Sequence, residues 1–450
     1  MLYTLTMHPA VDLFFNPALR ADAETRFKQK LVNDALRRIG GLTLECEGVE
    51  TGARTHYRNK AVYPVAEDES GALCTGFFAR RSHRIVRQES CLLENGFDCR
   101  NYGLPAGLPA MRALFADILG VRPENVIAGG NSSLNIMFDT VAQAYSRGVC
   151  GEKPWCGEKV KFLCPVPGYD RHFGITEYFG VEMINIPIGA DGPDMDAVER
   201  YVENDALVKG IWCVPKYSNP TGITYSDETV RRFARLKPKA ADFRIYWDNS
   251  YVLHDIGDTP DSLLNLYAEA EACGNEDIVF LFTSTSKITF PGAGVACVAA
   301  SPKNIDWMLR RIQYQTIGPD KLNQLRHLRM LPDLAAVRAQ MARHRAIIRP
   351  KFEMVLDAFE AELSGLPGVS WTRPNGGYFI SLDLPEGCAS RAVALAKEAG
   401  LVLTPAGATF PYGRDPKDAN IRVAPTYPSL AELEKALDLM VCCVRLAVGK

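Results

Sequence analysis

Six short apolar runs, at residues 159–164, 181–186, 208–214, 243–247, 278–282 and 295–300, recur between stretches of helical pattern. They are continuous rather than alternating, which is the pattern of strands covered on both faces. Spacings of roughly 20–35 residues leave room for helical crossovers, so the expected fold class is α/β with a mostly parallel sheet. In such a sheet the functional residues lie beyond the carboxyl ends of the strands. A long helix is expected at 338–363, and the remainder alternates strands and helices in a smaller α+β unit. Residues 1–95 do not share the pattern. Three regions follow: an atypical N-terminal segment over 1–95, a large domain over 96–345 and a small C-terminal domain over 346–450.

A chain of 450 residues is long enough for such an arrangement. Its net charge of -2 argues against a nucleic-acid-binding surface over the whole molecule. The 13 cysteines form no Cys-x-x-Cys pair and no zinc-type cluster with histidine, so free thiols in a reducing compartment and no metal site are expected. No apolar stretch is long enough to span a membrane, and the first residues lack the pattern of a signal peptide. A cytoplasmic location is expected.

The run 278–282 leads into Thr283-Ser284-Thr285-Ser286-Lys287 and then Pro291-Gly292-Ala293-Gly294. Lys287 thus leaves a buried strand into a tight, hydroxyl-rich loop. That suits a reactive amine, which forms a Schiff base with a carbonyl compound, most commonly pyridoxal 5'-phosphate. The plain alternative is a solvated lysine in a Ser/Thr-rich turn. Upstream, residues 125–128 read as a strand that runs into Gly129-Gly130-Asn131-Ser132-Ser133 and then a helix. A glycine turn before a hydroxyl-rich helix N-terminus is an anion site, because free N–H groups and the helix dipole point there. Asp248 follows the run 243–247, and a buried aspartate there pairs with a protonated ring nitrogen. A capping or turn aspartate is the plain alternative. Tyr251, Asn219 in Asn219-Pro220-Thr221-Gly222, and Tyr169 in Pro167-Gly168-Tyr169-Asp170 also fall just past strand ends.

These motifs in this order, ending with Arg422 in Asn420-Ile421-Arg422-Val423-Ala424-Pro425, resemble the fold-type I pyridoxal-phosphate aminotransferases. Within them the chain is most similar to the MocR-like, class Ic aspartate aminotransferase subgroup. The closer likeness is carried by Asp98-Cys99-Arg100-Asn101-Tyr102-Gly103, Gln315-Thr316-Ile317-Gly318-Pro319-Asp320-Lys321, Asn375-Gly376-Gly377-Tyr378-Phe379 and Ala408-Thr409-Phe410-Pro411-Tyr412-Gly413, and it covers residues 98–450. The resemblance implies an aminotransferase acting on an amino acid, aspartate or glutamate, and a 2-oxo acid. It implies Lys287 as the Schiff-base lysine, with Asp248 and Tyr251 as its catalytic companions. Asp248 would meet the ring nitrogen, Asn219 and Tyr251 the ring oxygen, and Tyr169 the ring face. Asn131, Ser132, Ser133, Ser284 and Ser286 would hold the phosphate, and Tyr102 would reach the phosphate of a neighbouring subunit in a homodimer. Arg422 would bind the substrate α-carboxylate, and the Asn219-Pro220 bond would be cis. Lys321, Arg326 and Arg329 are candidates for a side-chain carboxylate.

Two departures stand out. Gly294-Val295 occupies the place where many of these enzymes carry a phosphate-binding arginine. The subgroup's own N-terminal piece, with its Thr-Arg-Gly-Lys-Pro-like string, is missing. In its place, residues 1–12 are similar to the first strand of phosphofructokinase-type sugar kinases, and 26–39 read as an amphipathic helix. Two basic runs, 57–65 and 76–86, read as strands of an antiparallel sheet. Residues 20–95 together resemble the central region of RNA uracil-C5 methyltransferases, without that family's catalytic parts. Two other functions therefore stand beside transamination. One is RNA binding or modification through Arg58, Lys60, Arg80, Arg81 and Arg84. The other is cofactor binding with little turnover.

Overall fold

The computed structural model describes strand residues 65–67, 73–78 and 85–87, and residues 98–449. The chain divides into two compact units, 1–101 and 102–450. In the first, β1 (Val65–Glu67), β2 (Leu73–Phe78) and β3 (Ile85–Arg87) form an antiparallel sheet in that order. The sheet was expected, but 76–86 is not one strand. It folds back so that Phe77 pairs with Val86, which lets the two halves satisfy each other's backbone groups. The expected elements at 1–12, 26–39 and 57–64 lie outside the described residues, as do Arg58, Lys60, Arg80, Arg81 and Arg84.

The second unit opens with α1 (Pro109–Leu119), which has proline in its first turn, where a missing N–H costs nothing. It buries Met111, Leu114, Phe115, Ile118 and Leu119 at helical spacing. Then β4 (Val126–Ala128) leads to α2 (Ser133–Arg147), and β5 (Lys161–Val166) to α3 (Asp170–Tyr178). The hairpin of β6 (Glu182–Gly189) and β7 (Gly192–Pro193) precedes α4 (Met195–Asn204). Next come β8 (Val208–Cys213), α5 (Asp227–Ala234), β9 (Arg244–Asp248), α6 (Leu266–Ala272), β10 (Val279–Ser284) and β11 (Ala296–Ala300).

These strands form one sheet in the order β4-β11-β10-β9-β8-β5-β6-β7. Strands β6, β5, β8, β9 and β10 are parallel neighbours. The expected mostly parallel sheet is therefore present, with strand ends within about three residues of the sequence pattern. β11 runs against both β10 and β4, because the connection 285–295 is too short for a crossover to a parallel neighbour. One face is filled by aromatic rings: Trp212 and Tyr246 lie 4.6 Å apart, and Tyr246 and Phe282 stack at 5.8 Å. Phe162, Trp212, Tyr246, Phe280 and Phe282 are all buried there, each contributing about 1.5–3 kcal/mol of apolar transfer. The carboxyl ends of β4, β5, β8, β9 and β10 open on the same edge, which gathers residues from five separate loops.

After α7 (Pro302–Gln315) and α8 (Lys321–Met330) comes α9 (Leu334–Leu363). It starts earlier than 338 because Asp333 caps it, accepting from the Ala336 N–H at 2.8 Å. Strands β12 (Ser370–Trp371), β13 (Ile380–Asp383) and β14 (Asn420–Val423) make a small antiparallel sheet, with α10 (Ala389–Glu398) and α11 (Leu430–Ala447). Phe352, Val355, Phe359, Ile380, Leu382, Ile421, Leu433 and Leu437 form its separate core. The cysteines from Cys99 onward are all free. Among the described residues no helix is long and apolar enough to cross a membrane.

Candidate functional site

Lys287 lies in the turn after β10, half-buried, with its Nζ 4.7 Å from the centre of the Tyr251 ring. Burial lowers its pKa, and the nearby Asp248 charge only partly opposes that. Desolvation disfavours the ammonium form, so this amine reaches its nucleophilic state more easily than a surface lysine. Its backbone carbonyl accepts a hydrogen bond from Tyr378 Oη at 3.1 Å. Tyr251 is buried beneath it, and burial pushes its hydroxyl well above the usual range.

Asp248 ends β9 with only 4% of its surface exposed. Burial alone would raise its pKa, but the His172 ring outweighs this, with help from the Lys287 charge and the Ser250 hydroxyl. The carboxyl is thus held below the usual range and stays anionic. His172 Nε2 lies 3.1 Å from Asp248 Oδ2, and Ser250 Oγ donates to Oδ1 at 2.5 Å. The His172 ring is itself stacked on Trp212 at 4.7 Å, which fixes its plane. Ser250 Oγ lies 3.3 Å from Ser133 Oγ, so the start of α2 is tied to the Asp248 loop.

The anion cradle forms at α2. Ser132 is the N-cap, its Oγ accepting from the Asn135 N–H at 3.3 Å. Gly130 has φ +69°, and a Cβ there would meet Asn135 Oδ1 at 2.6 Å, so a side chain would obstruct the turn. Opposite, Ser286 Oγ donates to the Asn131 carbonyl at 2.9 Å, and Ser284 Oγ donates to Ser286 Oγ at 3.1 Å. These hydroxyls can rotate toward an anion when one is present. Asn131, Ser132, Ser133, Ser284 and Ser286 are therefore brought together at a helix N-terminus, whose free N–H groups and dipole favour an anion.

Arg422, on β14, forms the other wall. Its Nη1 donates to Asp170 Oδ1 at 2.7 Å and to Asn219 Oδ1 at 3.2 Å, and its guanidinium lies 5.1 Å over the Phe379 ring. Its Nε is buried with no hydrogen-bond partner among the described residues. A buried unpaired donor on a guanidinium calls for an acceptor, and a carboxylate matches its two-pronged geometry. The Asn219-Pro220 peptide is cis, as the resemblance implies. The Tyr169 ring meets His172 edge-on at 4.8 Å, and burial pushes the Tyr169 hydroxyl up to about 12. Tyr169, Tyr251, Tyr378 and Phe379 line one apolar cluster.

Other expected residues stand further out. Tyr102 is 67% exposed. Lys321 is buried and its Nζ donates to the Gly103 carbonyl at 3.0 Å, and Arg326 and Arg329 are exposed on α8. Residues that pattern reading missed are His172, Ser250 and Asp170. The signal was weak: Asp170 and His172 follow the quoted Pro-Gly-Tyr turn, and Ser250 is two residues past Asp248.

Pyridoxal 5'-phosphate fits this arrangement. The buried anion of Asp248 suits a protonated ring nitrogen, the α2 cradle suits a phosphate, and the desolvated Lys287 amine suits an aldehyde.

A family model described as aspartate amino-transferase matches residues 85–450. An aspartate aminotransferase of Corynebacterium glutamicum is 47% identical over 358 residues, covering 79% of this chain and 83% of its own. The crystal structure of an aspartate transaminase from Corynebacterium glutamicum superposes with a TM-score of 0.78 at 46% identity, covering 80% of this chain and 86% of that one. A stretch of 76 residues is also 43% identical to an uncharacterized RNA methyltransferase of Halalkalibacterium halodurans, covering 16% of each chain.

Proposed function

We propose that this chain, which belongs to the aspartate amino-transferase family, transfers the amino group of aspartate or glutamate to a 2-oxo acid such as 2-oxoglutarate. It is a transaminase and its cofactor is pyridoxal 5'-phosphate. That group supplies an electron sink for the charge left when a substrate Cα loses its proton. Lys287 would hold the group, and its Nζ, freed when the donor's amine takes its place, would take the proton from the donor's Cα and in the second half-reaction deliver one to the Cα of the amino acid product. Asp248, kept anionic by His172 and Ser250, holds a proton on the ring nitrogen. Asn219 and Tyr251 would meet the ring oxygen, Tyr169 would cover the ring face, and Asn131, Ser132, Ser133, Ser284 and Ser286 would hold the phosphate. Arg422 takes the substrate α-carboxylate.

The observation that carries this reading is Arg422: it is braced by Asp170 and Asn219 beside the Lys287 cluster, yet keeps an unpaired buried Nε. Further parts of the reading are a cofactor-binding domain over 96–345 and a small domain over 346–450. The exposure of Tyr102 supports a homodimer with shared sites, and exposed free thiols at Cys156, Cys273 and Cys442 support a reducing, cytoplasmic setting. A screen of amino donors against the holoenzyme, followed by absorbance of the bound cofactor, tests the substrate. Aspartate and glutamate should react fastest. No spectral change with either would end that assignment.

The 76-residue match favours a second reading, RNA contact through residues 20–95. Its check is retention of RNA that weakens with salt. No retention at low salt would remove it.

A further inference from the structure

Tyr378 belongs to the small-sheet segment, yet its hydroxyl reaches the backbone of Lys287. The acceptor at 3.1 Å is the carbonyl of the residue that carries the reactive amine. The Tyr378 ring also touches Tyr251 at 5.8 Å and His254 at 5.5 Å, and Tyr251 is the ring under Lys287 Nζ. One side chain thus braces the lysine from both its backbone and the surface its amine rests on.

The segment that carries Tyr378 is held in place. Gly376 bridges to Asp255, and the Gly377 N–H donates to the His254 carbonyl at 2.9 Å. A Cβ on Gly376 would meet Tyr217 Cε2 at 2.2 Å and the His254 carbonyl oxygen at 2.4 Å, so only glycine allows this approach. Tyr217 is anchored in turn, donating from Oη to Asp255 Oδ1 at 2.7 Å. On its other side the segment continues through Phe379, which lies under the Arg422 guanidinium, into β13, where Ser381 pairs with Arg422. Arg422 and the tyrosine on Lys287 are therefore joined through two paired strands of the small sheet, Arg422 on β14 and Tyr378 just before β13.

We propose that Tyr378 is a positioning residue for transamination: its hydrogen bond fixes the backbone from which the Lys287 amine extends and links that backbone to the Arg422 site. The proposal rests on Lys287 being the lysine that holds the cofactor. A backbone left loose here spreads the amine over several orientations, and misplacement of a reacting group lowers turnover more than binding.

The test is Tyr378→Phe in the full-length holoenzyme, which removes one hydroxyl and keeps the ring. A net hydrogen bond of this kind corresponds to roughly threefold to tenfold in kcat, with KM for the amino donor within about twofold. Two further readings follow the bound cofactor without turnover: its visible circular dichroism should change in amplitude, and the pH midpoint of its absorbance should move. A variant with wild-type kcat, dichroism and midpoint overturns the proposal, even if its melting temperature falls. Borohydride reduction and peptide mapping accompany both proteins. A label on a peptide lacking Lys287 would end the underlying reading instead, whatever Tyr378→Phe does.

Discussion

Arg422 and Asn219 stand 203 residues apart in the chain, and Arg422 Nη1 donates to Asn219 Oδ1 at 3.2 Å. Because a guanidinium only donates, the contact orients the amide, with its oxygen toward Arg422 and its NH2 group away. The asparagine amide and the arginine guanidinium thereby set each other's direction. Asp170 on the same Nη1 keeps the arginine from swinging out.

Replacing Arg422 by lysine tests the second half of that pair. The charge remains but the fork is lost, so affinity for the α-carboxylate should fall by about 1–3 kcal/mol. The amino-donor half-reaction with aspartate, followed at increasing concentration, measures it. An unchanged concentration dependence would count against Arg422 as the carboxylate site.

Lys287→Ala should abolish transamination and leave the cofactor reversibly bound, since Asp248 and the α2 cradle remain. Equilibrium dialysis together with an activity assay checks both halves. Retained turnover would refute the role of Lys287.

Asp248→Asn keeps the shape and removes the charge. Loss of a charge-assisted hydrogen bond of about 1.5–3 kcal/mol corresponds to a fall in kcat of roughly 10–150-fold. His172→Gln should have the same direction and a smaller size, because its polar tie to the site runs through the Asp248 carboxylate at 3.1 Å. If His172→Gln proved the more damaging of the two, the order of their roles would have to be reversed.

His254 yields a prediction on pH. Burial pushes its pKa down to about 3 from an ordinary 6.5, with the Lys287 charge adding to the effect. The unfolded chain takes up this proton near 6.5 and the folded chain only near 3, so its contribution to stability is lost as pH falls between those values. The loss amounts to at most about 1.4 kcal/mol per pH unit. His254→Phe should flatten the acid side of a urea-denaturation series by up to that slope. Parallel profiles for the two proteins would show that His254 does not titrate in this way.

Much of this site could be read from local pattern. The apolar runs had only one comfortable environment, between two layers of helix, and that made the sheet legible. Gly130, Lys287 and Asp248 announced themselves because each sits where a strand ends, and strand ends in such a sheet converge. The strand at 76–86 was misread because its basic, alternating pattern suits one long strand or two short ones equally, and only pairing with a partner decides between them.

What local sequence determined, then, was where each loop begins and which chemistry it carries. Tertiary structure alone decided which loops meet. Asp248 is kept anionic by a histidine 76 residues earlier, and Arg422 is braced by an aspartate 252 residues away. Lys287 is held by a tyrosine 91 residues later. Such pairings leave little trace in spacing, because side-chain contacts across a fold depend on how helices and sheets stack, while propensity and period act only between neighbours in the chain.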